Sequence, residues 1–475
     1  MLRGSAAPLP LLSIALAAVL SGCGPRKVQR PPEPVPARQA PRPLVGAGSC
    51  TSSGCHAASE AGHAAWQSAY TVWAIRDPHA RAHESLRGPL AERIVAALEA
   101  RDPAGRQPPA HENMACVGCH ATGRGDAAGE GVSCESCHGA AEPWLVAHTA
   151  AGWKTRGNSL GMIDLADSFT CASTCASCHV GGPPTADGAI REVTHDLVAA
   201  GHPRLAFELR SYKRAEPPHW RNRFAAPPDA ALGPLDEWAQ GRLATLASYL
   251  RQTASQSQAA RTGERGLSAG AWPEFTAFDC HGCHRPAALR SAARSARIPA
   301  FGPPGAPRLE PMYFSHLDIL LPAAAMEPLS RVREAVGRSW AAVPPAAALA
   351  EAVRSVEDAR FGLHERLARL PAADLARRLV GETNAANWAE AVSALGGIEA
   401  IADREVAAGR LSADAAVAMR LAALRRQLEF PIETVDGKEE RFSSPRGYDP
   451  AGVAAELRAI ADALTGTPAA APGAR

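Results

Sequence analysis

The chain has 475 residues, with 50 Lys and Arg against 48 Asp and Glu and a formal net charge of +2. That balance gives no case for nucleic acid as a partner. Aromatic residues make up only 5 %, while 12 cysteines and 16 histidines concentrate the chemistry.

Arg3 precedes an apolar run over 11–20, which ends in Leu20-Ser21-Gly22-Cys23. The run is too short to span a bilayer and has the proportions of a secretory signal. Small residues before a cysteine suggest a lipoprotein signal over 1–22, with Cys23 lipidated. An ordinary cleaved signal with an incidental cysteine is the other reading. Residues 23–44 then form a Pro-rich tether, whose composition favours extended polyproline II and forbids a packed core.

Five cysteine pairs follow, each closed by a histidine. The first, Cys50-Cys55-His56, is C-x-x-x-x-C-H. The others are C-x-x-C-H: Cys116-Cys119-His120, Cys134-Cys137-His138, Cys175-Cys178-His179 and Cys280-Cys283-His284. This is the attachment signature of c-type haem, in which two thiols add to the porphyrin vinyl groups and the next histidine meets the iron. Zinc knuckles are the competing reading. They predict thiols grouped as four ligands per metal, whereas here the gaps between motifs are uneven and the histidine always follows directly. Five covalent haems c are therefore expected, attached outside the cytoplasm as the export signal requires. Cys171, in FTCASTCASCH, is left without a partner and reads as a buried thiol or an alternative thioether donor.

A haem with two protein ligands carries electrons, and one with an open position binds small molecules. Eleven histidines lie outside the proximal positions. His79 and His83 are four apart in DPHARAH, with His79 the better distal candidate. His148 follows His138 by ten residues. His195 and His202, seven apart, can leave one face of a two-turn helix that Gly201 and Pro203 terminate. His83, His111, His219 and His316 stay in reserve. His63 and His281 read as local hydrogen-bonding residues, and Met114 and Met162 are conceivable thioether ligands.

Residues 45–320 hold every motif and fifteen of the sixteen histidines, broken by frequent Gly and Pro. They read as short helices and long loops around cofactors that supply much of the core. Residues 321–475 are Ala/Leu/Arg-rich at helical period. Val353, Val356, Leu363, Leu367 and Leu370 fall on one helical face, and further runs cover 387–408, 411–428 and 450–464. A mainly α chain results: a multihaem cytochrome region plus a C-terminal helical bundle, with a disordered tail from Thr465.

GVSCESCHGAAEPWLVAH, CASCHVG, REVTHDLVAAGHPRLAFE and WAIRDPHARA resemble the bacterial multihaem cytochrome c family of the c-554/c-552 type. The resemblance covers roughly 45–290. It implies a mainly helical fold around closely stacked haems, electron transfer in the periplasm, and distal-ligand roles for His79, His148, His195 and His202. The chain departs from the family at CHGCHRP, where Arg285 stands in place of a second histidine. Three functions follow as expectations. The first is a periplasmic electron carrier, lipid-anchored, serving redox partner proteins or a membrane redox complex. The second is an oxidoreductase acting on a small nitrogen or sulfur compound at one five-coordinate haem. The third is an adaptor working through the C-terminal helices. No C-x-x-C-K motif of the pentahaem nitrite reductases is present.

Overall fold

The computed structural model describes residues 43–101, 105–153, 160–185, 188–219, 233–262, 272–280, 308–339, 342–411, 415–429, 432–435, 438–442 and 448–464. The signal, Cys23, most of the tether, Cys283, His284, Arg285 and the tail lie outside them. The described residues fall in one compact unit, Pro41–Arg475.

The fold is mainly helical. Among the described residues, eight helices of five residues or more lead through the motif region: α1 Ala69–Arg76, α2 Pro89–Arg101, α3 Met114–His120, α4 Cys134–His138, α5 Ser168–His179, α6 His195–Ala199, α7 Leu209–Ala215 and α8 Gly233–Thr262. Short polar side chains start several of them: Asn113, Asp167, Thr194 and Glu208 each accept a hydrogen bond from an exposed first-turn N–H, satisfying donors the helix cannot. Helices α9 Ala323–Gly337, α10 Ala346–Ala359, α11 Leu363–Ala368, α12 Ala372–Glu382, α13 Trp388–Ala407, α14 Ala415–Leu428 and α15 Pro450–Leu464 complete the chain. One antiparallel hairpin, β1 Ile432–Val435 and β2 Lys438–Phe442, interrupts them.

Helix α8, 30 residues long, is the axis of the fold. It packs on α5, which carries the fourth motif, and on α10 and α13 from the C-terminal region. Leu235, Trp238, Leu243, Leu246 and Leu250 are at most 1 % exposed. A continuous apolar core consequently runs from Phe169 to Ala461, passing through residue 320 without a break. Outside that core the described residues of the motif region form small clusters, such as Ile94, Leu98 and Leu197.

Two local expectations change. The face predicted as one helix through Val353 and Leu370 is divided between α10 and α11, with Gly362 as the N-cap of α11. Val356, Leu363 and Leu367 nonetheless stay fully buried, so the break preserves the apolar face. Helix α6 stops at Ala199 instead of reaching His202, because Gly201 turns the chain at φ +114°, a conformation that residues with a side chain rarely adopt.

Candidate haem centres

The second, third and fourth motifs place their thiols and histidine on a short helix. In α3, α4 and α5 the motif itself forms the C-terminal turn, so both thiols and the histidine leave the same end. The helices are tied to one another by specific polar contacts. Glu135, inside the third motif and 5 % exposed, accepts hydrogen bonds from the N–H groups of Val45, Gly46 and Ala141. Glu130 accepts from Ala47 N–H at 2.8 Å. These bonds hold the start of the first motif on the third. Arg191 joins the second motif to the fourth: its Nε donates to Gly118 O at 3.0 Å and its Nη1 to Ser177 Oγ at 2.9 Å. At Gly118 a β-carbon would lie 2.1 Å from Ile190 O, so only glycine lets these two segments meet.

Thiols from different motifs meet at the same junctions. Cys50 and Cys134 are hydrogen-bonded, as are Cys119 and Cys178; in each pair one thiol is shifted down and the other up by the shared proton. Cys171 bonds Cys175 on its own helix in the same way, and Lys213 helps hold it below the ordinary thiol range. Burial pushes Cys116 up to about 11 and Cys137 to about 12.

The histidines assemble in pairs that the sequence order does not suggest. His56 faces His148 with ring centres 6.2 Å apart, His179 faces His79 at 6.0 Å, and His120 faces His202 at 6.5 Å. Each pair joins a motif histidine to one from a distant segment. Two imidazoles bound to one iron at about 2.0 Å, with ring centres roughly 1.2 Å beyond the nitrogens, stand about 6.4 Å apart.

The hydrogen bonds of the Nδ1 atoms agree with that spacing. His56 Nδ1 donates to Trp66 O, His148 to Leu145 O, His120 to Ala82 O at 3.0 Å and His202 to Pro203 O at 2.8 Å. His79 Nδ1 donates to Asp77 Oδ1 at 2.9 Å. A donor bond at Nδ1 fixes the tautomer that leaves Nε2 for a metal. Asp77, His79 and Glu216 also bring ligand atoms within 4.8 Å of one another, and Asp77 is there the outer partner of His79. Burial lowers His138 and His179 to about 4 and also depresses His120 and His202, keeping the neutral form a metal requires. His79 moves the other way because Asp77 favours its cation.

The remaining candidates separate on the same criteria. His195 stands 5.7 Å from Phe275, on the segment that leads into Cys280, and its N–H donates to Glu274 Oε1 at 2.7 Å. His219 lies within electrostatic reach of His138, His56 and Asp77. His138 Nδ1 is buried with no hydrogen-bond partner among the described residues. His83 and His111 are also 6.4 Å apart, yet His83 spends Nε2 on His111 O and Nδ1 on Arg87, leaving no nitrogen for a metal. His316 is inside the helical core, bonded to Leu379 O and Thr383 Oγ1. His63 bonds Ala61 O locally. Met162 sulfur accepts from Trp153 Nε1 at 3.3 Å. Sequence reasoning missed Glu130, Glu135 and Arg191. Glu135 sits inside a motif and could have been singled out; nothing in the local sequence signals Arg191.

Residues 50–139 match a family model described as "Cytochrome c554 and c-prime". No curated protein and no solved structure matches the chain. The matched stretch carries the first three motifs, and likeness to a cytochrome c family points to covalently bound haem c. Free thiols beside paired imidazoles fit that group.

Proposed function

From the match of residues 50–139 to a cytochrome c family model, we propose that the chain is a multihaem c-type cytochrome transferring electrons through about five haems, mostly bis-histidine ligated. Bound haem supplies a one-electron ferric/ferrous couple. The ten motif cysteines hold it, and His56, His120, His138, His179 and His284 are the proximal ligands. His148, His202 and His79 close the opposite faces for His56, His120 and His179. His195 serves the fifth motif, and His219 serves His138.

The observation that carries this reading is the set of three ring pairs at 6.0–6.5 Å, each drawn from distant segments. In five of the six rings Nδ1 is taken by a hydrogen bond, which leaves Nε2 as the ligand atom. The sulfur contacts support a conducting order as well: the first motif adjoins the third through Cys50 and Cys134, and the second adjoins the fourth through Cys119 and Cys178. Among the described residues no helix is long and apolar enough to cross a membrane. We place the protein on the periplasmic side, held by lipid at Cys23, exchanging electrons with redox partner proteins or a membrane redox complex.

Pyridine haemochrome analysis of the purified protein is expected to give five haems per chain, with low-spin ferric EPR signals throughout. A high-spin signal at one haem, with binding of nitrite or carbon monoxide, would replace this reading with that of an oxidoreductase acting on a small nitrogen or sulfur compound.

A further inference from the structure

The ring pairs at the first, second and fourth motifs differ in what their outer nitrogens touch. His56, His148, His120 and His202 each give the Nδ1 proton to a backbone carbonyl, which is a neutral acceptor. His79, which faces His179 of the fourth motif, gives its proton to a carboxylate instead, Asp77 Oδ1 at 2.9 Å. The local sequence Asp77-Pro78-His79 builds this contact. Pro78 keeps the preceding residue extended, with Asp77 at φ −81° and ψ 123°, and opens a single 3-10 turn over Pro78–Arg81. Asp77 caps that turn, so the same Oδ1 also accepts the backbone N–H of His79 at 2.9 Å. From the other side, His79 O accepts from Val132 N–H at 2.9 Å. Ring, amide and carbonyl of His79 are therefore all held.

The charge of Asp77 is poorly screened. The residue is 2 % exposed, and among the described residues His79 is its only salt-bridge partner, with no lysine or arginine to cancel it. Glu216 brings a second carboxyl to the same place, its ligand atom within 4.8 Å of those of Asp77 and His79. Arg191 supplies positive charge nearby, but it touches the second motif at Gly118 O and the fourth at Ser177 Oγ, so it does not favour one over the other. A carboxylate that holds the Nδ1 proton makes the imidazole a more basic ligand. It also sets a fixed negative charge beside the iron. Both effects favour ferric over ferrous iron, because the ferric state carries one more positive charge.

We propose that Asp77, acting through His79 as a positioning residue, gives the fourth-motif haem a lower reduction potential than the haems of the first and second motifs. Transfer across the junction that Arg191 bridges then has a direction. One electron leaves ferrous iron at the fourth motif, which becomes ferric, and reduces ferric iron at the second, with no proton moved. The inference rests on the proposed ligation of one iron by His79 and His179.

The test is a potentiometric titration of the haem-loaded protein at pH 7, followed by EPR, for wild type and Asp77→Asn. Asparagine keeps the cap and an oxygen for the Nδ1 proton but removes the charge. One couple is expected to rise as its reduction equilibrium shifts about tenfold or more, ~59 mV for one electron, while every signal stays low-spin. The couple that moves should be the one whose signal turns high-spin in His79→Ala. Unchanged couples in Asp77→Asn, where His79→Ala does give a high-spin haem, overturn the proposal alone. A high-spin signal in Asp77→Asn also overturns it, since Asp77 then only supports the ring. If His79→Ala leaves every signal low-spin, the ligation beneath the proposal is overturned. Should Asp77→Asn fail to fold, stepwise reduction of the wild type decides. The signal assigned through His79→Ala must persist to lower potential than those assigned through His148→Ala and His202→Ala, and its earlier disappearance contradicts the proposal.

Discussion

The motif region before residue 160 and the helical region after 233 are held together by different means. In the second, Trp238, Leu329, Val332, Leu349, Leu363 and Leu379 are all at most 1 % exposed and belong to one core. In the first, buried apolar residues fall in small groups such as Leu86, Ala91, Ala110, Val117, Ala121 and Ala128. What gathers the first region instead is a set of converging imidazoles, thiols and carboxylate-to-backbone bonds. The first region is thus gathered by polar and sulfur contacts, whereas the helical region is organised by one continuous apolar core.

Removing the cofactor should break this comparison most visibly. A chain made without covalent haem attachment is expected to lose amide-exchange protection across 43–153 while α8 to α13 keep theirs. Simultaneous loss in both regions would show that they do not differ as described.

The next effect belongs to the helical region. Burial holds His316, 1 % exposed, down to about 3, against an ordinary value of 6.5. The folded state therefore binds fewer protons than the unfolded one. This contribution is complete above about pH 6.5 and is lost as pH falls towards 3, by roughly 4 kcal/mol. Urea denaturation between pH 7 and 3.5 is expected to show it, and His316→Asn to flatten the profile. Glu390 acts in the opposite sense. Its raised value makes the folded state the better proton binder from about pH 4.5 to 7, so it costs stability as pH rises through that interval, and Glu390→Gln should recover it.

Smaller changes come from the ties of the first region. Glu135→Ala strips three backbone N–H groups of their acceptor, at about 1–3 kcal/mol. It should raise protease sensitivity near residue 45 without touching the helical region. Arg76→Ala removes a pair with Glu60 in which both side chains are nearly half exposed, and a change within about 0.5 kcal/mol is expected in thermal denaturation.

Much of this was legible in the sequence, and unevenly so. The Cys-His motifs announce their chemistry because covalent attachment fixes residue types at fixed spacing. His79, His148, His195 and His202 stood out by their neighbours, but the pairing did not. His148 is ten residues from His138 and yet faces His56, because loop closure over ninety residues leaves no local trace. The ends of α13 and α15 were predicted to within a residue or so, α15 from a stripe of Val453, Leu457 and Ile460, and α13 from its flanks although 393–402 are buried on every side. Helix α8 escaped for the opposite reason: it is buried around most of its circumference, and Arg242, Gln252 and Gln256 point into the interior, so no amphipathic period marks it. The hairpin at 432–442 was also not foreseen.

The central claim is that specific distal histidines, chosen by the fold and not by proximity in sequence, close the irons. EPR of His148→Ala, His79→Ala and His202→Ala, with His83→Ala as control, tests it most directly. Each of the first three is expected to convert one haem from low to high spin while the total haem count stays the same, and His83→Ala should leave every signal low-spin. Unchanged low-spin spectra in the first three, or a high-spin haem in His83→Ala, would contradict the account.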